Sequence, residues 1–163
     1  MIIKVINNNT LILDDFKFKC SVGKYGITKN KQEGDKKTPK GNFKLGNLYF
    51  RKDRHPKPDT KLKVIPIKKD MGWCDDVKSK NYNKLIKISK KINHEKLTRK
   101  DSSYDFLIPI NYNTNKIKNG KGSAIFIHIT KNYKKTLGCV AIKKKDMLIL
   151  LKLVKKNSTI KII

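Results

Sequence analysis

The stretch that decides the fold is Ser123–Ile142, SAIFIHITKNYKKTLGCVAI, which holds two short apolar runs and a lysine-rich connection between them. The runs Ala124–Ile129 and Gly138–Ile142 are short enough to be buried β-strands. His128 lies near the end of the first run and Cys139 near the start of the second, eleven positions further on. If the two strands pair, the imidazole and the thiol come within hydrogen-bonding reach.

A cysteine beside a histidine is a candidate nucleophile. Thiolate is the attacking species, and a nearby histidine lowers the pKa of a thiol. Because Cys139 follows a loop and begins an apolar run, we expect its sulfur to be partly exposed on a rigid element. Gly138 lets the backbone approach a substrate carbonyl, so the amides around it are candidates for an oxyanion hole. The pattern favours acyl transfer through a thioester, and the alternative is an ordinary core cysteine and histidine.

Outward from this stretch, β-favouring segments dominate the chain. Six further strands are predicted from short apolar or alternating runs between turn signals: Ile2–Ile6, Thr10–Leu13, Phe16–Val22, Asn42–Phe50, Phe106–Ile110 and Thr159–Ile163. Helix patterns are fewer and cover Asp146–Lys156, with one apolar face, and a short segment from Asn93 to Lys100. The sequence therefore predicts a mainly β fold, a sandwich or barrel with one or two short helices.

The length of the chain favours one domain. A chain of 163 residues can bury a single sizeable core, and residues 1–163 show no internal boundary. The segment Arg51–Asn93 is expected to be irregular, and long irregular segments in compact domains are often functional. No apolar run is long enough to span a membrane, and the first residues lack the features of a signal peptide.

Charge is the most unusual feature of the composition. The formal net charge is +27, from 40 basic and 13 acidic residues, and only three of the basic residues are arginine. Such an excess favours polyanions such as nucleic acid, an anionic membrane surface or an acidic cell-wall polymer. Because base recognition relies on arginine, specific nucleic-acid recognition is not expected. A coding bias toward lysine explains much of the excess equally well.

The cysteines give no sign of a metal site. Cys20, Cys74 and Cys139 are far apart and form no CxxC pair, so neither a metal nor a cofactor is expected. A bridge between Cys20 and Cys74 is possible in an oxidising compartment. Cys74 lacks the glycine that precedes Cys139, and we expect it to be structural.

Four ordered motifs resemble the L,D-transpeptidase (YkuD-like) catalytic domain family. Gly34–Phe43 is similar to its GD-x-x-TP-x-G-x-F signature, and Thr136–Ala141 stands where the family has its nucleophile. The motifs of one bacterial branch of that family are matched by WCDD at Trp73–Asp76 with Asn81–Asn83, by Tyr104-Asp105 and Tyr112-Asn113, and by the run Gly120–His128. Lys19–Gly23 is also similar to the N-terminal strand of that branch. The resemblance covers roughly Phe16 to Val154.

The resemblance implies roles for particular residues. Cys139 is the expected nucleophile, His128 the general base and acid, and Gly138 the backbone of the oxyanion hole. Four further residues are expected to support them: Asp105, Thr136, Trp73 and Tyr112. Either Asp105 or a backbone carbonyl is expected to orient the histidine, and Trp73 is expected in the cleft or in the core.

Structural positions are also expected for several other residues. Thr38–Gly41 is expected to form a tight turn, because proline fixes φ and glycine permits positive φ. Asp75 and Asp76 are expected to cap a loop, to hold a cation or to meet a substrate amine. His55 and His94 are expected at the surface.

The resemblance also implies a substrate and a location. It implies peptidoglycan stem peptides, whose thioester is resolved by an amine, which gives cross-linking, or by water, which gives carboxypeptidase activity. The implied location is the periplasm or cell envelope, and a cytoplasmic protein stays possible because no export signal is visible. Two positions depart from the commonest family pattern, since Leu137 replaces a second histidine and Ala141 a polar residue. A basic nucleic-acid-binding module is the alternative of a different class.

Overall fold

The computed structural model describes all 163 residues, and most of its elements are short β-strands. The strands, in chain order, are β1 (Ile2–Ile6), β2 (Thr10–Leu13), β3 (Phe16–Ser21), β4 (Ile27–Thr28), β5 (Thr38–Pro39), β6 (Gly41–Lys44), β7 (Leu48–Phe50), β8 (Val64–Pro66), β9 (Met71–Cys74), β10 (Leu85–Lys87), β11 (His94–Lys96), β12 (Phe106–Pro109), β13 (Phe126–Ile129), β14 (Val140–Ile142) and β15 (Thr159–Ile162). One helix, α1 (Lys144–Leu153), lies between β14 and β15. The prediction of a mainly β fold of sandwich or barrel type is confirmed.

Ten of the strands form one curled sheet. Their order across the sheet is β6-β15-β1-β2-β3-β14-β13-β12-β7-β8. Strands β13 and β14 lie next to each other near the middle, and they run parallel. Three strands form a second sheet in the order β10-β9-β11, and β4 pairs with β5. That residues 1–163 form one domain stays a prediction.

The segment between β6 and β7 links distant strands of the large sheet. The predicted strand Asn42–Phe50 is therefore two strands, since β6 pairs with β15 and β7 pairs with β12. The break comes at Gly46, whose N–H donates to Pro109 O at 2.7 Å, while Leu45 bridges to Ile110. This short segment therefore pairs with strands near both ends of the large sheet, and the sheet curls toward a barrel.

Two apolar clusters lie on opposite faces of β13 and β14. The larger cluster takes Ile127, Ile129, Val140 and Ile142 from these strands, together with the apolar face of α1. The smaller cluster includes Phe126 and residues of the three-stranded sheet and its flanks. Because side chains alternate along a strand, His128 points to the side of the smaller cluster. The sheet therefore holds Phe126, His128 and Cys139 on one face.

The second predicted helix is wrong. Residues 94–96 form strand β11, in which Glu95 pairs with Trp73 and Lys96 with Gly72 of β9. Leu97 follows, fully buried, and its N–H donates to Met71 O. Pairing with a strand more than 20 residues away outweighs the local helix signal, which was no more than a capping residue.

The remaining boundaries agree closely with the predictions. Helix α1 begins two residues before the predicted start and ends at Leu153, because Val154 turns to extended backbone with ψ 143°. The segment Arg51–Asn93 holds three short strands and long connections. The helix is too short and too polar to cross a membrane.

Candidate active site

The parallel pair of β13 and β14 brings His128 and Cys139 to one cavity. Residue pairing sets Ile127 beside Val140 and His128 beside Ala141, so Cys139 lies next to Phe126. Cys139 and His128 are then diagonal neighbours on one face, a separation of about 7–8 Å between Cα atoms that side chains can span. Both residues line a cavity of about 720 Å³. The arrangement needs only the ten-residue connection between the two strands.

The sulfur of Cys139 is more enclosed than expected. The residue is 7% exposed rather than partly exposed, because Phe126 and its neighbours pack around it. The thiol donates to Ala124 O at 3.3 Å and accepts the Phe126 N–H at 3.4 Å. Ala124 has a φ of 52°, a left-handed conformation that is uncommon for alanine. The backbone of residues 124–126 thus supplies one hydrogen-bond acceptor and one donor to the sulfur at the cavity wall.

Burial sets the charge of both groups, and it corrects the expectation of an activated thiolate. Burial and, to a smaller extent, the nearby Glu95 carboxylate raise the pKa of Cys139 to about 12. Burial also lowers the pKa of His128 to about 4. At neutral pH the site therefore holds a neutral thiol and a neutral imidazole.

His128 is oriented by a backbone carbonyl. Its Nδ1 lies 2.9 Å from Ile129 O. A carbonyl only accepts hydrogen bonds, so in the neutral ring Nδ1 carries the proton and Nε2 keeps the lone pair. The edge of Tyr104 packs against the imidazole with ring centroids 5.4 Å apart. The imidazole and the thiol bond to backbone atoms rather than to each other, which differs from the predicted hydrogen-bonding reach.

Asp105 has partners other than His128. Its carboxylate, 5% exposed, accepts from Arg54 at 2.9 Å and contacts His55 Nε2 at 2.7 Å. Of the two candidates for the orienting group, the structure has the backbone carbonyl in that position. His55 is only partly exposed and packs against Phe106, so the expectation of a surface residue is wrong. His94, also expected at the surface, is partly buried in β11.

Thr136 shapes the turn that carries the nucleophile. Its hydroxyl donates to Cys139 O at 2.7 Å and accepts the Gly138 N–H at 3.1 Å. Gly138 has a φ of 145°, and a Cβ there would lie 3.0 Å from Lys37 O, so this position requires glycine. The Gly138 N–H is occupied, whereas the Cys139 N–H donates to no protein group. The amide of Cys139 is therefore a free backbone donor of this turn beside the sulfur.

The GD-x-x-TP motif lies behind this turn. Thr38 and Pro39 form strand β5 rather than the predicted tight turn, because Ile27 and Thr28 pair with them. The Thr38 hydroxyl accepts the Gly23 N–H at 2.8 Å, and Gly23 bridges to Thr136. The motif is thereby tied to the nucleophile turn through one intermediate strand segment.

The two aromatic candidates do not line the cavity. Trp73 belongs to the smaller apolar cluster, where its indole N–H donates to Asn83 Oδ1 at 2.9 Å. Tyr112 packs against Phe43, and its hydroxyl donates to Lys121 O at 2.5 Å. Both residues shape the walls from behind.

Of the remaining motif residues, some line the cavity and others stabilise neighbouring loops. Asp75 lines the cavity, where burial and Glu33 raise its pKa. Asp76 instead accepts the backbone N–H of Lys78 at 3.0 Å. Cys20, Cys74 and Cys139 are all buried free thiols, so Cys20 and Cys74 are not bridged here.

The cavity has charges of both signs on its walls. Carboxylates come from Glu33, Asp75, Glu95 and Asp101, and cationic groups come from Lys36, Arg99, Lys131, Lys134 and Lys135. Glu33 accepts hydrogen bonds from Tyr82 and Ser123, and Glu95 accepts one from Tyr104. Leu137, 75% exposed, adds an apolar side chain at the wall. Glu33 and Glu95 were not among the residues predicted from the sequence, because no local pattern marks them and Glu33 meets Ser123 from 90 residues away.

The curled β-sheet thus brings a cysteine, just before β14, and a histidine, on β13, to one cavity. The family model of the L,D-transpeptidase catalytic domain (YkuD) matches residues 2–162, and the chain belongs to that family. The family acts on peptidoglycan and is typically associated with the cell envelope. Searches of curated proteins and of solved structures found no match.

Proposed function

We propose that the chain is a cysteine-dependent acyltransferase that cross-links peptidoglycan stem peptides. The observation that carries the proposal is the placing of Cys139 and His128 on one wall of one cavity, in a member of the L,D-transpeptidase family. A peptide that enters this cavity meets a sulfur, an imidazole and an open backbone N–H. These are the groups that acyl transfer through a thioester needs.

In the first half of the reaction, Cys139 attacks the carbonyl carbon on the L-centre of the third stem residue. The thiol proton passes to Nε2 of His128 and then to the nitrogen of the departing D-alanine. The carbon–nitrogen bond breaks and a thioester to Cys139 remains. The low pKa of His128 keeps the ring neutral above about pH 4, so Nε2 is ready to accept a proton.

In the second half, an amine of a neighbouring stem peptide attacks the thioester. Nε2 of His128 takes a proton from that amine, the new amide forms, and the proton returns to the sulfur. Water in place of the amine gives hydrolysis and a carboxypeptidase. The backbone N–H of Cys139 is the donor best placed to stabilise the oxyanion in both halves.

The charges of the cavity suit a peptide that carries both amines and carboxylates. Lysine side chains from the connection between β13 and β14 offer partners to stem carboxylates. The carboxylates of Glu33, Asp75 and Glu95 balance them on the remaining wall. Attraction of this kind orients a zwitterionic substrate more than it tightens binding, since water and salt screen it.

A stem-peptide assay tests the proposal. The protein is incubated with a tetrapeptide stem, with and without a second stem that offers a free amine, and the products are separated by mass. We expect a cross-linked product with the acceptor and loss of terminal D-alanine in both cases. Hydrolysis alone, even with acceptor, would make the chain a carboxypeptidase.

Two variants complete that assay. Cys139→Ala is expected to lose all activity, because it lacks the sulfur. It is expected to stay folded, because an alanine fits the space that the cysteine occupies. Cys74→Ala is the matched control, a buried cysteine outside the cavity, and it is expected to stay active. Activity retained in Cys139→Ala contradicts the mechanism. Cell fractionation tests the proposed location in the envelope.

A further inference from the structure

Lys31 is a buried cation close to the nucleophile turn. Its side chain is only 3% exposed. Its ammonium donates to Gln32 O at 2.7 Å and to Asp35 Oδ1 at 2.5 Å. An ammonium has three protons, so one donor is left over. Burying a charge is costly unless it is paired, and a buried lysine with a spare donor therefore calls for an explanation.

Asp35 holds this lysine and folds the surrounding loop. The carboxylate also accepts the backbone N–H groups of Gln32 and Lys37, each at 2.9 Å. Burial by itself raises the pKa of Asp35, but these donors and Lys31 outweigh it and hold the pKa below its ordinary value. Asp35 is thus the ionised centre of a compact loop over residues 31–37, the loop that begins the GD-x-x-TP motif.

The loop packs directly against Gly138. A Cβ built on Gly138 would lie 3.0 Å from Lys37 O and 3.7 Å from Lys31 Cε. A Cβ built on Gly122 would lie 2.8 Å from Lys31 Cγ. The lysine side chain therefore runs between two glycines, and it lies behind the turn rather than on the cavity wall.

We propose that Lys31 and Asp35 are positioning residues for the nucleophile. Asp35 fixes the loop against Gly138, and Lys31 supplies a positive charge behind Cys139 that favours the thiolate and the oxyanion. The importance of this charge for acyl transfer rests on the proposed function. Its effect on the sulfur needs no substrate and can be measured alone.

None of the other charged and titratable groups near the sulfur supplies a positive charge at neutral pH. They are Glu95 on β11, Tyr104 before β12 and His128 on β13. Glu95 raises the pKa of Cys139, and His128 is neutral at pH 7. The Phe126 N–H and then Lys31 lower the pKa of the thiol, against the larger effect of burial, and Lys31 is the cation among these groups.

The test compares alkylation of Cys139 by neutral iodoacetamide and by anionic iodoacetate, followed by mass spectrometry of the Cys139 peptide. In Lys31→Met we expect iodoacetamide to react about three- to tenfold more slowly, as for a thiol pKa raised by roughly half a unit to one unit. Iodoacetate should slow still more, because the local potential also falls. Lys87→Met is the control, since Lys87 is 84% exposed and lies 3.9 Å from Asp70.

A purely structural role predicts a different pattern. A loosened loop exposes the sulfur, so both reagents would react faster in Lys31→Met and their ratio would not change. That result, or rates within twofold of the wild type, overturns the proposal. A folded protein that shows the Lys31 effect but forms no thioester with a stem peptide would overturn the proposed function instead.

Asp35→Asn provides a second arm that decides the matter if Lys31→Met does not fold. Asparagine keeps the shape of the side chain and its acceptor oxygen, but it leaves the charge of Lys31 uncompensated. Iodoacetate is therefore expected to react at least as fast as in the wild type. Slower reaction with iodoacetate in Asp35→Asn contradicts a role for the charge of Lys31.

Discussion

Cys139 and His128 are held neutral by the apolar cluster around them. The cluster of Phe126, Trp73 and Tyr104 makes either charge costly before a substrate arrives. In the proposed mechanism, such a site protects its thiol in the resting state and reacts when a bound peptide supplies an electrophilic carbonyl close by. The reactivity of Cys139 then depends on nearby hydrogen-bond donors and buried charges more than on a thiolate–imidazolium ion pair in the free protein.

The pKa of His128 makes the stability of the fold depend on pH. Its pKa is about 4 in the folded chain and 6.5 ordinarily. Between these pH values His128 is protonated in the unfolded chain and neutral in the folded chain. The free energy of unfolding therefore falls as the pH drops from about 6.5 toward 4. Because His128 is partly exposed, we expect a loss of about 2 kcal/mol rather than the full amount for such a shift.

Urea unfolding at pH 7 and at pH 4.5 measures this effect. His128→Gln cannot take up the proton, so its free energy of unfolding should change less between the two pH values. The carboxylates titrate in both proteins, and the difference between the proteins isolates the histidine. Equal losses in wild type and variant would show that burial of His128 has no such effect.

At the level of single residues, the spacing of Cys139 and His128 together with the resemblance of four ordered motifs marked these two residues as candidates. It gave no measure of burial, because the residues that enclose the sulfur come from β9, β12 and β13 and their flanks. It also left open whether Asp105 or a backbone carbonyl orients His128, because the partners of Asp105, Arg54 and His55, lie about fifty residues earlier in the chain. Charge pairing across such distances leaves no local trace in a sequence.

Among the elements, the loop before β12 forms a wall beside His128. Arg51 donates to Arg99 O at 2.8 Å, and Arg54 donates to Asp101 O at 2.9 Å. Asp105 anchors Arg54, and Ile129 N donates to Ser103 O at 2.9 Å. The loop is thereby fixed to the strand that carries the imidazole.

Asp105→Ala is expected to destabilise the fold by roughly 2–3 kcal/mol, because it leaves His55 and Arg54 without their buried acceptor. The loop should also loosen and lower the activity. Chemical denaturation measures the first effect and the stem-peptide assay the second. Asp59→Ala is the control, since Asp59 is exposed and forms no salt bridge. A loss below 0.5 kcal/mol for Asp105→Ala would show that the network is dispensable.

Sequence patterns located the elements that have alternating or apolar runs and failed for a strand that has no such run. Both short strands of the site, β13 and β14, were predicted, because their apolar residues are contiguous. The strand at residues 94–96 was missed, because its pairing with β9 and not its composition makes it extended. The GD-x-x-TP loop was recognised as a motif, but its contact with Gly138 appears only in the folded chain.

For the molecule as a whole, the net charge of +27 governs its attraction to polyanions. We expect retention on heparin at low ionic strength and release as salt rises, because exposed lysines are screened within about 10 Å at 0.1 M salt. A variant with Lys143, Lys144 and Lys145 changed to glutamine should elute at lower salt, and Cys139→Ala should elute with the wild type.

Selective binding of one nucleic-acid sequence at moderate salt would contradict this view and favour a nucleic-acid-binding module. Salt-dependent retention without sequence preference agrees with a basic enzyme that works beside anionic wall polymers. Composition predicted this property as readily as the structure does, because net charge is a sum that folding leaves unchanged. The charges inside the cavity, by contrast, are set by the fold.

Mass spectrometry of the protein after incubation with a tetrapeptide stem tests the central claim most directly. We expect a mass increase equal to the acyl group of the shortened stem, mapped to the Cys139 peptide and absent in Cys139→Ala. An adduct on Cys20 or Cys74, or turnover of the stem with no thioester on Cys139, would contradict it.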